Sequence, residues 1–239
     1  MHKLFFATAC LLATARVYAA SPVQCAKGLK MFVSRGTGEE MGLGVLGNIT
    51  KVIRERIPGS DDEAITYPAS SVDPNYMISV GNGTLLLKEA LTEYAQACPE
   101  SKIAGAQIVS NSFCGTLPFW TITDMDNINM EDIMKREPPL SKEVTKNVIS
   151  VVLFGDTTRA ARPSYNYGTW NNTGNGLFYR DDVTPYVELG KRVRSYCDAG
   201  DPFCDAGYYL NVNAHLEYVQ KYGDEVIDYV VQQYSSHRV

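Results

Sequence analysis

Histidine is nearly absent from this chain. Three occur in 239 residues, and two of them, His2 and His237, stand at the ends. His215 is the one left in the body, so any imidazole chemistry near neutral pH falls to it. The scarcity also removes a histidine-rich metal centre, and there is no C-x-x-C pair to replace one. The acidic run from Asp124 to Asp132 lacks the glycine of a calcium loop and puts Ile128 where an oxygen ligand is needed. No metal or other cofactor is expected. Positive charge is also short: 22 Lys and Arg against 27 Asp and Glu give a net charge of −5. That balance excludes an electrostatic nucleic-acid footprint, and no basic run forms a membrane tether. Past the first twenty residues no apolar run is long enough to span a bilayer.

What is present begins with an N-terminal leader. His2 and Lys3 precede a mostly apolar run from Leu4 to Ala15, and Val17-Tyr18-Ala19 offers a cleavage site after Ala19 or Ala20. Residues 1–20 are therefore expected to be a secretory signal peptide, and 21–239 one secreted domain. Secretion favours cysteine pairing. Cys10 leaves with the leader, so five remain and at least one is left over. Cys197 and Cys204 are close enough to close a small ring. Cys25 and Cys98 are the next pair, and Cys114 is then a free thiol. Asn48-Ile49-Thr50, Asn82-Gly83-Thr84 and Asn171-Asn172-Thr173 are candidate glycosylation sites.

The periodicities alternate as in an α/β domain, with no repeat or linker dividing them. Leu29–Val33 reads as a first strand, running into the turn Arg35-Gly36-Thr37-Gly38. A helix then takes Leu46, Ile49, Val52 and Ile53 inward. Ala64–Tyr67 reads as a short second strand. Tyr76 to Ala97 reads as a long helix with Ile78, Leu85, Leu86, Ala90, Leu91 and Tyr94 as its apolar positions. Val148–Phe154 is nearly continuous in apolar, mostly β-branched residues, as a strand buried on both faces should be. Val193–Tyr196 is a shorter strand. Helical patterns over Ala214–Tyr222 and Asp224–Tyr234, with Leu216 inward in the first, are separated by Gly223.

The densest chemistry lies in Tyr196-Cys197-Asp198-Ala199-Gly200-Asp201-Pro202-Phe203-Cys204, with His215 after it. A constrained ring that presents a carboxylate, followed by a histidine, is two-thirds of a serine-hydrolase charge system. Asp201 follows Gly200 inside the turn and is the preferred carboxylate. Asp198 and Asp205 are rivals on spacing alone.

These residues, together with Arg35-Gly36-Thr37, Tyr67-Pro68-Ala69, Ala97-Cys98-Pro99, Gly105-Ala106-Gln107-Ile108-Val109, Val151 to Asp156 and Ala214-His215-Leu216-Glu217-Tyr218-Val219, carry a resemblance. The chain resembles the fungal cutinase and acetylxylan esterase family of secreted serine esterases over essentially its whole mature length. The resemblance implies a three-layer αβα sandwich around a central parallel sheet. It implies Asp201 as triad acid, His215 as base, Thr37 as an oxyanion-hole residue, and disulfides Cys25–Cys98 and Cys197–Cys204. The implied partner is an ester of plant cell wall or cuticle, cutin or acetylated xylan, and a monomer is expected.

The centre of the mechanism departs from the family. Where the family reads Lys-Ile, several strand residues, then G-Y-S-Q-G-A-Q, this chain reads Ser101-Lys102-Ile103-Ala104-Gly105-Ala106-Gln107. Roughly six residues are missing, the nucleophile serine among them. Lys102-Ile103-Ala104 would leave a central strand about three residues long, with the flanking helices pulled down or the sheet left gapped. Ser110 and Ser112 stand in the following segment, and Ser70 and Ser71 after the second strand, without the context of a nucleophile elbow. Asp156-Thr157-Thr158-Arg159 replaces the family's usual Gly-Asp-Pro. The expectation is an ester hydrolase, inactive as the chain is written through a gene-model or splicing loss. The alternative is a non-catalytic protein of the same fold that binds polysaccharide or cuticle through Tyr165, Tyr167, Trp170 and Tyr179.

Overall fold

The computed structural model describes residues 23–108, 139–170, 174–206 and 211–237. The leader 1–20, Ser110, Ser112, Cys114, the acidic run 124–132 and the Asn171 sequon lie outside the described residues. Along the chain run β1 (Leu29–Ser34), α1 (Gly47–Arg56), β2 (Asp61–Ala64), α2 (Tyr76–Ala97), β3 (Lys102–Ile108), α3 (Lys142–Thr145), β4 (Val148–Phe154), β5 (Asn166–Tyr167), α4 (Thr184–Leu189), β6 (Val193–Tyr196), α5 (Val212–Leu216) and α6 (Tyr218–Ser236). Among the described residues six strands form one sheet in the order β2-β1-β3-β4-β6-β5, and every pairing is parallel.

A parallel sheet needs cover on both faces, and the alternation along each strand supplies it. In β4, Val148, Val151 and Leu153 join Leu87, Leu91 and Tyr94 of α2 and Tyr186 of α4. Ile149, Val152 and Phe154 join Ile49 and Ile53 of α1 and Val226, Ile227 and Val230 of α6. The architecture is the expected αβα sandwich. β2 is an edge strand. Its Asp61 and Glu63 receive the Lys30 ammonium at 2.7 and 2.9 Å, which lets a lysine sit almost buried in β1.

Four expectations need correction. β2 begins at Asp61 and ends at Ala64, so the strand precedes the Ala64–Tyr67 stretch. The edge position makes its three acids tolerable, with Lys30 pairing Asp61 and Glu63 and Arg54 pairing Asp62 at 3.2 Å. α2 has the expected bounds but a different inner face. Met77, Val80, Leu87, Leu91 and Tyr94 are buried, whereas Leu85 and Leu86 are 48% and 39% exposed. Gly83 falls on that face because the Tyr67 ring packs against it, 2.9 Å from where a Cβ would stand. α6 runs unbroken through Gly223, which faces Ile49 of α1, while Leu216 is 73% exposed.

The largest correction concerns β3. It has seven residues, not three, and the sheet has no gap. Gly105 to Gln107 pair with Phe32 to Ser34 of β1, and Gly105 to Ile108 pair with Val151 to Phe154 of β4. An interior slot leaves two rows of backbone N–H and C=O groups to satisfy. The residues that the resemblance puts beyond the elbow fill it instead.

Candidate active site

β6 hands the chain directly to the ring closed by Cys197–Cys204, and Cys25–Cys98 ties the N-terminal side to the end of α2. Within the ring Gly200 adopts φ +84°, which turns Asp201 inward. The Asp201 side chain is wholly buried. Its Oδ1 accepts from the Phe203 and Cys204 amides at 2.8 and 3.3 Å. Its Oδ2 accepts from the Tyr218 hydroxyl at 2.7 Å and lies 2.9 Å from His215 Nδ1.

His215 sits in α5, with the Phe203 ring centred 4.5 Å from its own. Its other wall is Gly155, just past β4 with φ +56°. A Cβ there would lie 2.6 Å from His215 Cε1 and Nδ1. The Asp–His pair thus lies at the carboxyl ends of the central strands, where α/β sheets place their ligands.

The electrostatics suit an ionised acid beside an imidazole. Burial pushes the Asp201 carboxyl up, but hydrogen bonds and charge from His215, with the Tyr218 and Phe203 donors, bring it below its usual 3.8. Burial, and then the Asp201 charge, push the Tyr218 phenol far up, so it stays a donor. The two rival carboxylates are engaged elsewhere. Asp198 accepts from Lys221 and Tyr222, both at 2.6 Å, and from Thr169. Asp205 accepts from the Gly200 amide at 3.2 Å. Among the described residues His215 is hydrogen-bonded to Asp201 alone, and no hydroxyl reaches it. Ser70 is a turn residue whose Oγ accepts from the Val72 and Asp73 amides.

Thr37 is exposed in the loop after β1. The loop is braced around it. The Arg35 guanidinium holds the Tyr67, Pro68 and Glu39 carbonyls. The Glu39 carboxylate accepts from the Gly36 and Val45 amides at 2.7 and 3.1 Å. Gly38 N–H donates to the Ala69 carbonyl at 2.7 Å. The Gly36 and Gly38 amides are therefore engaged, with Glu39 and with Ala69 beyond β2, while the Thr37 amide between them is bonded to no described residue. β1, which leads to Thr37, and β4, whose following Gly155 packs against His215, flank the carboxyl end of β3.

Sequence reasoning missed Glu39 and Tyr218. Tyr218 stands three residues after His215, a spacing that can share a helix face, and that was its one available signal. It also missed a buried pair beyond β4. Arg180 donates to Asp156 at 2.5 Å, both side chains being fully buried, and Thr158 completes the cluster. The four aromatics do not share one surface. Tyr165 is buried against Tyr186, Trp170 lies under the Arg159 guanidinium, Tyr167 packs on Tyr196, and Tyr179 is exposed. Asn48 and Asn82 are exposed on α1 and α2. Among the described residues no His, Cys, Asp and Glu cluster is spaced to hold a metal ion, and no helix is long and apolar enough to cross a membrane.

A doubly covered parallel sheet with an acid–imidazole pair at its carboxyl edge defines an α/β hydrolase. The family profile described as Cutinase matches residues 25–234, and the chain belongs to that family. Acetylxylan esterase of Hypocrea jecorina is 29% identical over 224 residues, 89% of this chain and 69% of that protein. Acetylxylan esterase 2 of Talaromyces purpureogenus is 26% identical over 96% of this chain and 98% of its own length. The catalytic core domain of acetyl xylan esterase from Trichoderma reesei superposes with a TM-score of 0.72 at 25% identity, covering 88% of this chain and all of that one. These relatives carry the names of ester hydrolases.

Proposed function

We propose that this protein is a secreted carboxylic-ester hydrolase of the cutinase and acetylxylan esterase type that lacks its nucleophile elbow, the serine and the adjoining oxyanion-hole residue with it. Residues 1–20 are the signal peptide. Residues 21–239 are a monomeric hydrolase domain, glycosylated at Asn48, Asn82 and Asn171. The observation that carries the reading is the 2.9 Å approach of His215 Nδ1 to the buried Asp201 carboxylate. In a chain with a serine elbow, the serine Oγ attacks the ester carbonyl and His215 takes its proton. His215 then returns that proton to the leaving alcohol, and water repeats the cycle on the acyl-enzyme. Asp201 keeps Nδ1 protonated, and the Thr37 amide donates to the oxyanion. The substrate class is an ester of plant cell wall or cuticle, acetylated xylan or cutin. The chain as written lacks Gly-x-Ser-x-Gly, so its hydrolysis stays at background.

The test is gain of activity. Leu-Val-Gly-Tyr-Ser-Gln inserted after Ala104 restores the elbow and moves Gly105 beyond the turn. The expected result is hydrolysis of p-nitrophenyl acetate at least about 10³-fold above the parent, abolished by His215→Ala. A folded insertion variant without activity would sink the esterase reading. His215-dependent hydrolysis by the parent chain would instead show that a nucleophile was overlooked. Retention on insoluble xylan or cutin without hydrolysis by either form would move the assignment to a binding protein. Sequencing the transcript between the codons for Cys98 and Cys114 decides whether the elbow is encoded.

A further inference from the structure

We propose that Tyr218 is a positioning residue that fixes the Asp201 carboxylate for His215; this rests on the reading of Asp201 and His215 as the acid–base pair. A carboxylate torsion is broad and two-fold, so a buried aspartate needs partners on both oxygens to hold one orientation. The ring backbone supplies the partners of Oδ1 through the Phe203 and Cys204 amides. Oδ2 has Tyr218 and His215. Without Tyr218 the histidine would be the sole restraint on the oxygen meant to restrain it.

The direction of the phenol proton is forced. Tyr218 Oη accepts the Asp198 amide proton at 2.8 Å, so its own proton is directed to Asp201 at 2.7 Å. The neighbouring Cys204 sulfur, 3.3 Å away, is disulfide-bonded and has no proton to offer. One hydroxyl therefore bridges Asp198 and Asp201 of the ring. The tyrosine is 2% exposed, packed on Phe154 and edge-on to His215. Docking of the ring on α6 does not need this proton, because Lys221 and Tyr222 of the same helix hold the Asp198 side chain. The Tyr218 proton adds orientation of Asp201.

Proton NMR of the full mature chain tests this without a nucleophile. The His215 Nδ1–H bonded to Asp201 gives a far-downfield resonance, assigned by its loss in His215→Ala and Asp201→Asn. In Tyr218→Phe the resonance is expected to vanish, or to exchange with water at least about ten-fold faster, with circular dichroism unchanged, because one bond to a charged group is gone. If the phenylalanine variant does not fold, 3-fluorotyrosine at 218 decides. It keeps the hydroxyl but makes it more acidic, and the resonance is expected to shift. An unchanged resonance and exchange rate in folded Tyr218→Phe, or an unshifted one with fluorotyrosine, would overturn the role. So would a parent chain without the resonance. Failure of the proposed function reads differently: the insertion variant stays inactive while the resonance still responds to Tyr218.

Discussion

Gly155 shows how tightly the site is drawn around single atoms. Its positive φ and the His215 ring 2.6 Å from a would-be Cβ forbid a side chain twice over, by backbone conformation and by space. Gly155→Ala is expected to cost about 2 kcal/mol in urea unfolding. It should also speed diethyl pyrocarbonate modification of His215, whose side chain is 14% exposed in the native protein. Asp198 and Asp201 make the second prediction. Burial raises both carboxyls, and hydrogen bonds more than offset it, so both lie below their usual 3.8 when folded. A depressed carboxyl contributes stability that is complete above that value and is lost as pH falls through the folded one. Acid unfolding should therefore steepen below about pH 4, and Asp201→Asn should show a shallower decline by circular dichroism. Asp201 and His215 were legible in the sequence because a disulfide ring and a lone histidine are rare features. Tyr218 and Glu39 were not. They are common residue types, and their roles come from partners that only the fold brings near.

Elements were legible where local pattern and tertiary demand agree. β4 is apolar but for Ser150 and fully buried, and α2 starts at an Asn75 cap that accepts from the Ile78 amide. The inner face of α2 was misread because Leu85-Leu86-Leu87 is apolar all round, and the rotation is set by tertiary packing, the Tyr67 ring against Gly83 and Leu87 and Leu91 against the sheet. The consequence is measurable. Leu91→Ala, at a fully buried position, should cost about 3 kcal/mol in chemical denaturation. Leu85→Ala should cost under about 0.5 kcal/mol, as surface substitutions do. β3 was illegible for a different reason. Gly105 in mid-strand argues against a strand locally, but the slot between β1 and β4 recruits whatever residues come next.

At the scale of the whole molecule the two disulfides do different work. Cys25–Cys98 spans 73 positions and Cys197–Cys204 spans 7. Loop entropy then gives the first about 4 kcal/mol and the second about 2 kcal/mol. Replacing Cys25 and Cys98 by alanine should lower the unfolding free energy more, with the Asp201–His215 bond intact. Replacing Cys197 and Cys204 should lower it less yet erase that bond, as the His215 resonance would report. The outer strands bear on how copies of the protein meet in solution. On β2, Asp61, Asp62 and Glu63 stand in succession, and the Asp61 and Glu63 side chains are 55% and 48% exposed even while holding Lys30. β5, at the other border, offers two residues. A strand from a second molecule would find two exposed carboxylates along one border and almost no length along the other, so the sheet resists growth by edge addition. Crowded copies of this protein should stay apart for that reason, by charge on one side and brevity on the other.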